Sequence, residues 1–168
     1  MKSYSLFVLL IFSSIAGFAQ QQKWSAGLYS HMEMESPHYD FSIGVQGKYD
    51  FALRHAAQAQ VSLGSNATFL EASYLFSFLD RTKSNFNVFA GAGVGHYFYS
   101  FNSSFYVNNE VVTAEISDNT ILLSGQLGIS YYIPKIKTSI YTGYKAYYDV
   151  DYDQLAPNYL MLGVRYHF

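Results

Sequence analysis

The sequence predicts an all-β fold, a single eight-stranded antiparallel β-barrel that crosses a membrane. Three observations carry this. The chain is rich in aromatic residues and poor in charge. Apolar and polar residues alternate with a period of two in segment after segment. The N-terminus has the form of an export leader.

The leader comes first. Lys2 gives a positive start, "LFVLLIF" (6–12) is a short apolar core, and "SSIAGFA" supplies small residues with Gly17 and Ala19 at the cleavage positions. This is the pattern of a secretory signal peptide over residues 1–19. A membrane-anchor helix would need about 20 apolar residues. Residues 20–168 then form one domain of ordinary size.

Composition narrows the class. Cysteine is absent, which excludes a disulfide framework and a thiolate metal site. A formal charge of −2 gives no reason to expect nucleic acid. Charged residues make up 13% of the chain, about half the share in a typical soluble domain. Aromatics reach 19%, with 17 Tyr and 14 Phe. Such a chain has too much apolar surface to be disordered. No second long apolar run is present, so strands rather than helices must do any crossing.

The strands follow in order by their alternation. Segment 23–31 alternates through Trp24, Ala26 and Leu28. Segment 39–51 sets Tyr39, Phe41, Ile43 and Val45 against Asp40, Ser42, Gln46, Lys48 and Asp50. Segment 55–64 alternates through Ala57, Ala59, Val61 and Leu63. In 70–78, Leu70, Ala72, Tyr74 and Phe76 oppose Glu71, Ser73 and Ser77. In 88–98, Val88, Ala90, Ala92 and Val94 oppose Gly91, Gly93 and Gly95. Segments 123–133, 139–149 and the terminal "NYLMLGVRYHF" continue the pattern. Eight segments of about ten residues suit a small membrane barrel. Connections alternate between short (after Phe51, 80–85, 134–137) and long (33–38, 100–119, 149–157); only 65–68 departs. Short periplasmic turns and longer outer loops have this form, with both chain ends on the periplasmic side.

The apolar face is expected to point outward. Eight strands enclose a space just wide enough for side chains to fill, and rows such as Leu70, Tyr74, Phe76 and Phe78 are too bulky for it. The opposite face is Gly, Ser, Gln and Tyr with a few charges, unlike a water-facing surface. Phe51, Phe78, Phe86, Tyr131 and Tyr166 at one end, and Tyr39, Phe98 and Tyr148 at the other, fall where interfacial girdles belong.

Together the leader, "FAGAGVGHYF" (89–98), the eight amphipathic segments and "LMLGVRYHF" resemble the bacterial outer-membrane β-barrels of the small OmpA/OmpX type. The resemblance covers the whole mature chain and implies a location in the bacterial cell outer membrane. It implies contact with outer-membrane lipids and lipopolysaccharide. It also implies that Leu160, Leu162, Val164, Tyr166 and Phe168 form the signal read by the barrel-assembly machinery. The "FAQQQ" junction resembles exports of Bacteroidota. No peptidoglycan-binding domain of the OmpA kind is expected.

Candidate sites lie inside the barrel and at its outer end. Glu71, Lys145, Arg165, Lys48, Asp40 and Asp50 share the lumen parity. A lone charge there would be costly, so opposite charges should pair. Glu71 with Lys145 falls in the outer half; Lys48, Asp50 and Arg165 lie nearer the periplasm, with Arg165 held by a carboxylate or by tyrosines. Such a set forms a polar plug or, alternatively, a gated ion path. Phe101, Phe105 and Tyr106 in the long connection suit recognition of an extracellular ligand; "Val111-Val112-Thr113" equally suits an extension of the flanking strands. His96, with Ser100 and Glu110 following, resembles the His-Ser-acid set of lipid A deacylases but has Tyr97 and Phe98 as neighbours. An interfacial histidine is the better account. His31, His38 and His55 are scattered at strand ends and suggest no metal site; no cofactor is expected. Three functions follow: a structural or surface-recognition protein with a filled lumen, a narrow porin-like channel, and a lipid A-modifying enzyme. The first is favoured and the last least, so no enzyme is expected.

Overall fold

The computed structural model describes residues 23–34, 41–65, 67–80, 83–107 and 110–168. The leader, Asp40, Tyr39 and His38 lie outside the described residues, as do the side chains of 101–116. Eight strands are formed: β1 (Trp24–Glu33), β2 (Phe41–Asp50), β3 (His55–Leu63), β4 (Ala67–Ser77), β5 (Phe86–Val107), β6 (Glu110–Ile133), β7 (Thr138–Asp149) and β8 (Gln154–His167). Each pairs antiparallel with its sequence neighbour, and β1 pairs with β8, which closes the barrel. Closure removes the unpaired edge that no lipid could satisfy. The connections at 51–54, 78–85 and 134–137 and both described chain ends share one end, here the turn end. The other is the loop end.

The alternation translates directly into two faces. In β3, Ala56, Gln58, Gln60 and Ser62 are buried inward, while Ala57, Ala59, Val61 and Leu63 are exposed outward. Elsewhere the outer wall carries Leu28, Ile43, Leu70, Val94, Leu127 and Ile140, each around half exposed. Apolar exposure this extensive is incompatible with water and suits lipid. Phe51, Phe78, Phe86, Tyr131 and Tyr166 ring the turn end, and Phe41, Phe98 and Tyr148 the loop end. A depression of about 560 Å³ in the outer wall is lined by residues including Leu28, Ile43, Ile129, Leu162 and Val164.

Inside, rings sit over glycines. Tyr29 is paired with Gly44, Phe89 with Gly128 and Tyr141 with Gly163. A Cβ at Gly163 would lie 2.3 Å from the Tyr141 ring, and one at Gly128 would lie 2.6 Å from Phe89. The missing side chain is what makes room for the ring on the neighbouring strand. Tyr29, Leu75, Phe89, Tyr141 and Met161 belong to the buried apolar cluster that results.

Two boundaries differ most from the sequence expectation. The connection 100–119 is mostly strand: β5 and β6 stay in register from Phe86↔Tyr131 to Val107↔Glu110. The extension of the flanking strands is therefore what forms, and Phe101, Phe105 and Tyr106 lie opposite Ile116, Val112 and Val111. β8 begins at Gln154, earlier than expected, through a bulge. Lys145 is paired with Tyr159, but Tyr147 with Ala156, so Pro157 and Asn158 together face Ala146. Pro157 has no N–H for the ladder, and a bulge is where a strand tolerates it.

Candidate functional site: the lumen and its loop-end mouth

Barrel shear brings inward residues of opposite strands together in layers. In the layer nearer the loop end, Lys145 of β7 reaches across to Glu71 of β4, Nζ to Oε2 at 2.6 Å. Lys145 Nζ also donates to Gln60 Oε1 at 3.1 Å, and Ser124 Oγ donates to Glu71 Oε1 at 2.7 Å. Lys145 is 1% exposed and Glu71 2%. Two charges held so far from water need both their pairing and these extra hydrogen bonds.

The layer nearer the turn end is built on Arg165. Its Nε donates to Gln46 Oε1 at 3.0 Å and its Nη2 to Gln58 Oε1 at 2.7 Å. The guanidinium lies 4.0 Å from the centroid of the Tyr141 ring. Tyr141 Oη also donates to Gln46 Oε1 at 2.9 Å, and Gln46 Nε2 donates to the Leu28 carbonyl at 3.0 Å. The tyrosine expected beside Arg165 is there, but among the described residues no carboxylate reaches it. Gln46 and Gln58, uncharged and unremarkable in the sequence, take that place. Lys48 pairs with Asp50 two residues along β2 at 2.8 Å, apart from both layers.

Above Lys145 towards the loop end lies a cage of rings that the sequence reading missed. His31 is inside β1, which runs on to Glu33, and not at a strand end; it is buried and points inward. Its ring meets Phe69, Tyr147 and Tyr159 at centroid distances of 6.0, 6.2 and 5.8 Å. Tyr147 also meets Phe69 edge-on at 5.3 Å and Tyr159 at 4.9 Å. Lys145 Nζ lies 5.4 Å from the Tyr147 centroid, beneath the cage. The bulge admits this geometry, because it turns both Ala156 and Tyr159 towards the same cavity. That cavity, about 180 Å³, opens at the loop end between these rings, Glu33 and Asp149. Parity in the weakly patterned β1 was the signal available for His31.

At the rim, the β5–β6 hairpin is tied to the β7–β8 turn. Tyr152 Oη donates to Asp118 Oδ2 at 2.5 Å, and Tyr99 Oη donates to the same oxygen at 3.1 Å. The Tyr152 hydrogen bond, then those from the Asn119 N–H and Tyr99, hold the Asp118 carboxyl below the usual carboxylate range. The same bond to Asp118 pushes the Tyr152 phenol up. The single Thr120 hydroxyl proton is shared between Asp149 Oδ1 at 2.5 Å and Asp151 Oδ2 at 3.0 Å.

The remaining candidates lie on the wall or at the turn end. His96 points outward and packs on Phe98 with centroids 4.2 Å apart. His55 stands at the start of β3 in contact with the Tyr74 hydroxyl and stacked on Phe51. His167 reaches Ser139 Oγ at 2.9 Å. Leu160, Leu162, Val164 and Tyr166 form the outward row of β8. The Phe168 N–H bonds the Trp24 carbonyl at 3.0 Å, beside the closing seam. No group of three or more metal-binding side chains is found among the described residues.

No protein-family model matches the sequence, and no curated protein is significantly similar to it. Its fold is nonetheless shared with solved structures. The N-terminal β-barrel domain of Pseudomonas aeruginosa OprF superposes with a TM-score of 0.61 at 10% identity, covering 86% of this chain and 97% of that one. Neisserial surface protein A gives 0.55 at 17% identity, over 86% and 96%. A de novo designed transmembrane β-barrel gives 0.57 at 12% identity, over 90% and 100%. With its closed ring of strands and lipid-suited wall, the chain has the fold of the small eight-stranded outer-membrane β-barrels.

Proposed function

We propose that the chain is an outer-membrane protein with a plugged lumen that acts through its loop end, in structural support or surface recognition, and not as an enzyme. The observation that carries this is the pair of cross-lumen polar layers inside an apolar wall. The Lys145–Glu71 pair and the Arg165–Gln46–Gln58–Tyr141 group occupy the space through which a solute would have to pass. Buried charges satisfied this fully resist displacement by water or ions, because an unpaired partner would remain behind. Work at the loop end is then what the architecture leaves available. The longer strands of the β5–β6 hairpin and the tied β7–β8 turn supply the surface. In this reading the loop end faces outward and the turn end the periplasm. Lipid acyl chains cover the outer wall and its depression, and the β8 row ending at Phe168 is what the assembly machinery reads.

The test is electrical. The barrel is refolded, its heat-dependent gel shift is confirmed, and it is inserted into planar bilayers. No steady single-channel conductance is expected. A steady conductance that changes with Glu71→Ala would overturn the plug and favour a narrow channel gated by that pair.

A further inference from the structure

We infer that the loop-end cavity above Lys145 is a binding site for a small organic ammonium cation. The inference rests on the loop end being the working surface.

Charge is the first argument. Among the described residues Glu33, Asp118, Asp149, Asp151 and Asp153 lie at the loop end, and segments 33–34, 117–119 and 149–154 hold no Lys or Arg. The connections at the turn end instead hold Arg54, Arg81, Lys83, Lys135 and Lys137. A one-signed field around a concave mouth concentrates ligands of opposite charge. Glu33 and Asp149 place that charge on the cavity wall itself.

The wall's chemistry is the second. Five rings line or back the cavity: His31, Phe69, Tyr97, Tyr147 and Tyr159. These rings meet edge-to-face, and a cation over a ring face is attracted by the ring quadrupole. The cluster already holds one cation this way on its inner side, Lys145 against Tyr147. Glu71 balances that ammonium, which limits its repulsion of a second cation above.

Unmet hydrogen bonding is the third. His31 Nδ1 and the Tyr147 hydroxyl are buried and have no protein partner. Both belong to side chains of the cavity wall, closed off from the cavity itself, and both can accept a hydrogen bond from an N–H donor once the ring turns towards a guest. An alkylammonium ion supplies a positive charge, N–H donors and an apolar tail in a volume that suits about 180 Å³. An anion fails on charge, and a neutral polar guest wastes the carboxylates.

The experiment uses the refolded, heat-modifiable barrel in detergent with labelled histidine and tyrosine, titrated by NMR at low salt. The probe is n-butylammonium; n-butanol and butyrate are the neutral and anionic controls. A saturable shift of the His31 and Tyr159 ring signals is expected with n-butylammonium and with neither control. Glu33→Gln and Tyr159→Leu should each weaken it, Tyr159→Leu by about tenfold on the scale of a desolvated cation–π contact. Should Tyr159→Leu fail to refold, Glu33→Gln and the controls decide. No saturable shift in the folded barrel, or an equal response to n-butanol, overturns the cation site. Because the conductance test does not involve the ligand, either result leaves the plug to stand or fall separately.

Discussion

Lys145 and Glu71 show how much depends on one contact. Removing the carboxylate in Glu71→Ala leaves an ammonium 1% exposed with Gln60 as its remaining hydrogen-bond acceptor. Breaking a buried pair on one side costs about 3–5 kcal/mol, whereas replacing both partners by apolar or neutral groups of similar size is often close to neutral. The urea midpoint of the bilayer-inserted barrel should therefore fall steeply for Glu71→Ala and recover most of the way in Glu71→Gln/Lys145→Met. A double variant as unstable as the sum of its singles would show no coupling between the two residues and overturn the stranded-charge account. The inward parity of both residues is visible in the sequence, because alternation in β4 and β7 is clean. The partners of Arg165 are not visible. Parity places a side chain inside but gives no azimuth, and only the shear of the closed barrel decides that Gln46 and Gln58 face it.

At the scale of elements, the hairpin and turn at the loop end behave as a tied pair. Asp118 and Tyr152 shift in opposite directions because one hydrogen bond favours the ionised acid and the protonated phenol together. For Asp118, lowered in the folded state, the tie is fully present above the ordinary carboxylate value of about 4 and is lost as pH falls through the lowered one. For Tyr152, raised in the folded state, it is present below the ordinary phenol value of about 10 and is lost as pH rises through the raised one. The Tyr152 ring signal and the protection of the Val150 amide, which bonds the Ile121 carbonyl, relative to its intrinsic exchange rate at each pH, should hold constant across that window. An Asp118 carboxyl titrating at its ordinary value would remove the tie. The hairpin beyond it should be dispensable for folding. Replacing 103–114 by Asn-Gly joins the facing residues Asn102 and Glu115 through a two-residue turn. The heat-dependent gel shift should survive, since β5 keeps its pairing with β4 through Tyr99; its loss would show that the extension nucleates the barrel. In the sequence this stretch reads ambiguously, because Asn and Ser interrupt the apolar alternation while Val-Val-Thr restores it. Pro157 hides the start of β8 for a related reason: the bulge changes the phase of alternation within one strand.

The whole molecule depends on closure, and closure depends on where the chain has no side chain. Gly27 of β1 lies opposite Arg165 of β8 at the closing seam. A Cβ there would stand 1.8 Å from the Val164 carbonyl oxygen and 2.8 Å from the Arg165 Cα, both backbone atoms that cannot rotate away. Gly27→Val should force β8 off β1 and leave two unpaired edges, which is untenable in lipid. Gly47 and Gly125 give the matched control. Both sit in well-paired strands, yet a Cβ at either meets nothing within 4 Å. Refolding into vesicles followed by an unheated gel should show no compact band for Gly27→Val. Gly47→Val and Gly125→Val should run like the parent chain. Were all three to fold alike, close approach at the seam would not be what requires Gly27. Were all three to fail, glycine would matter in this barrel through backbone freedom and not through space. The sequence marks all three positions with the same letter, and only the direction each faces in the closed barrel separates them.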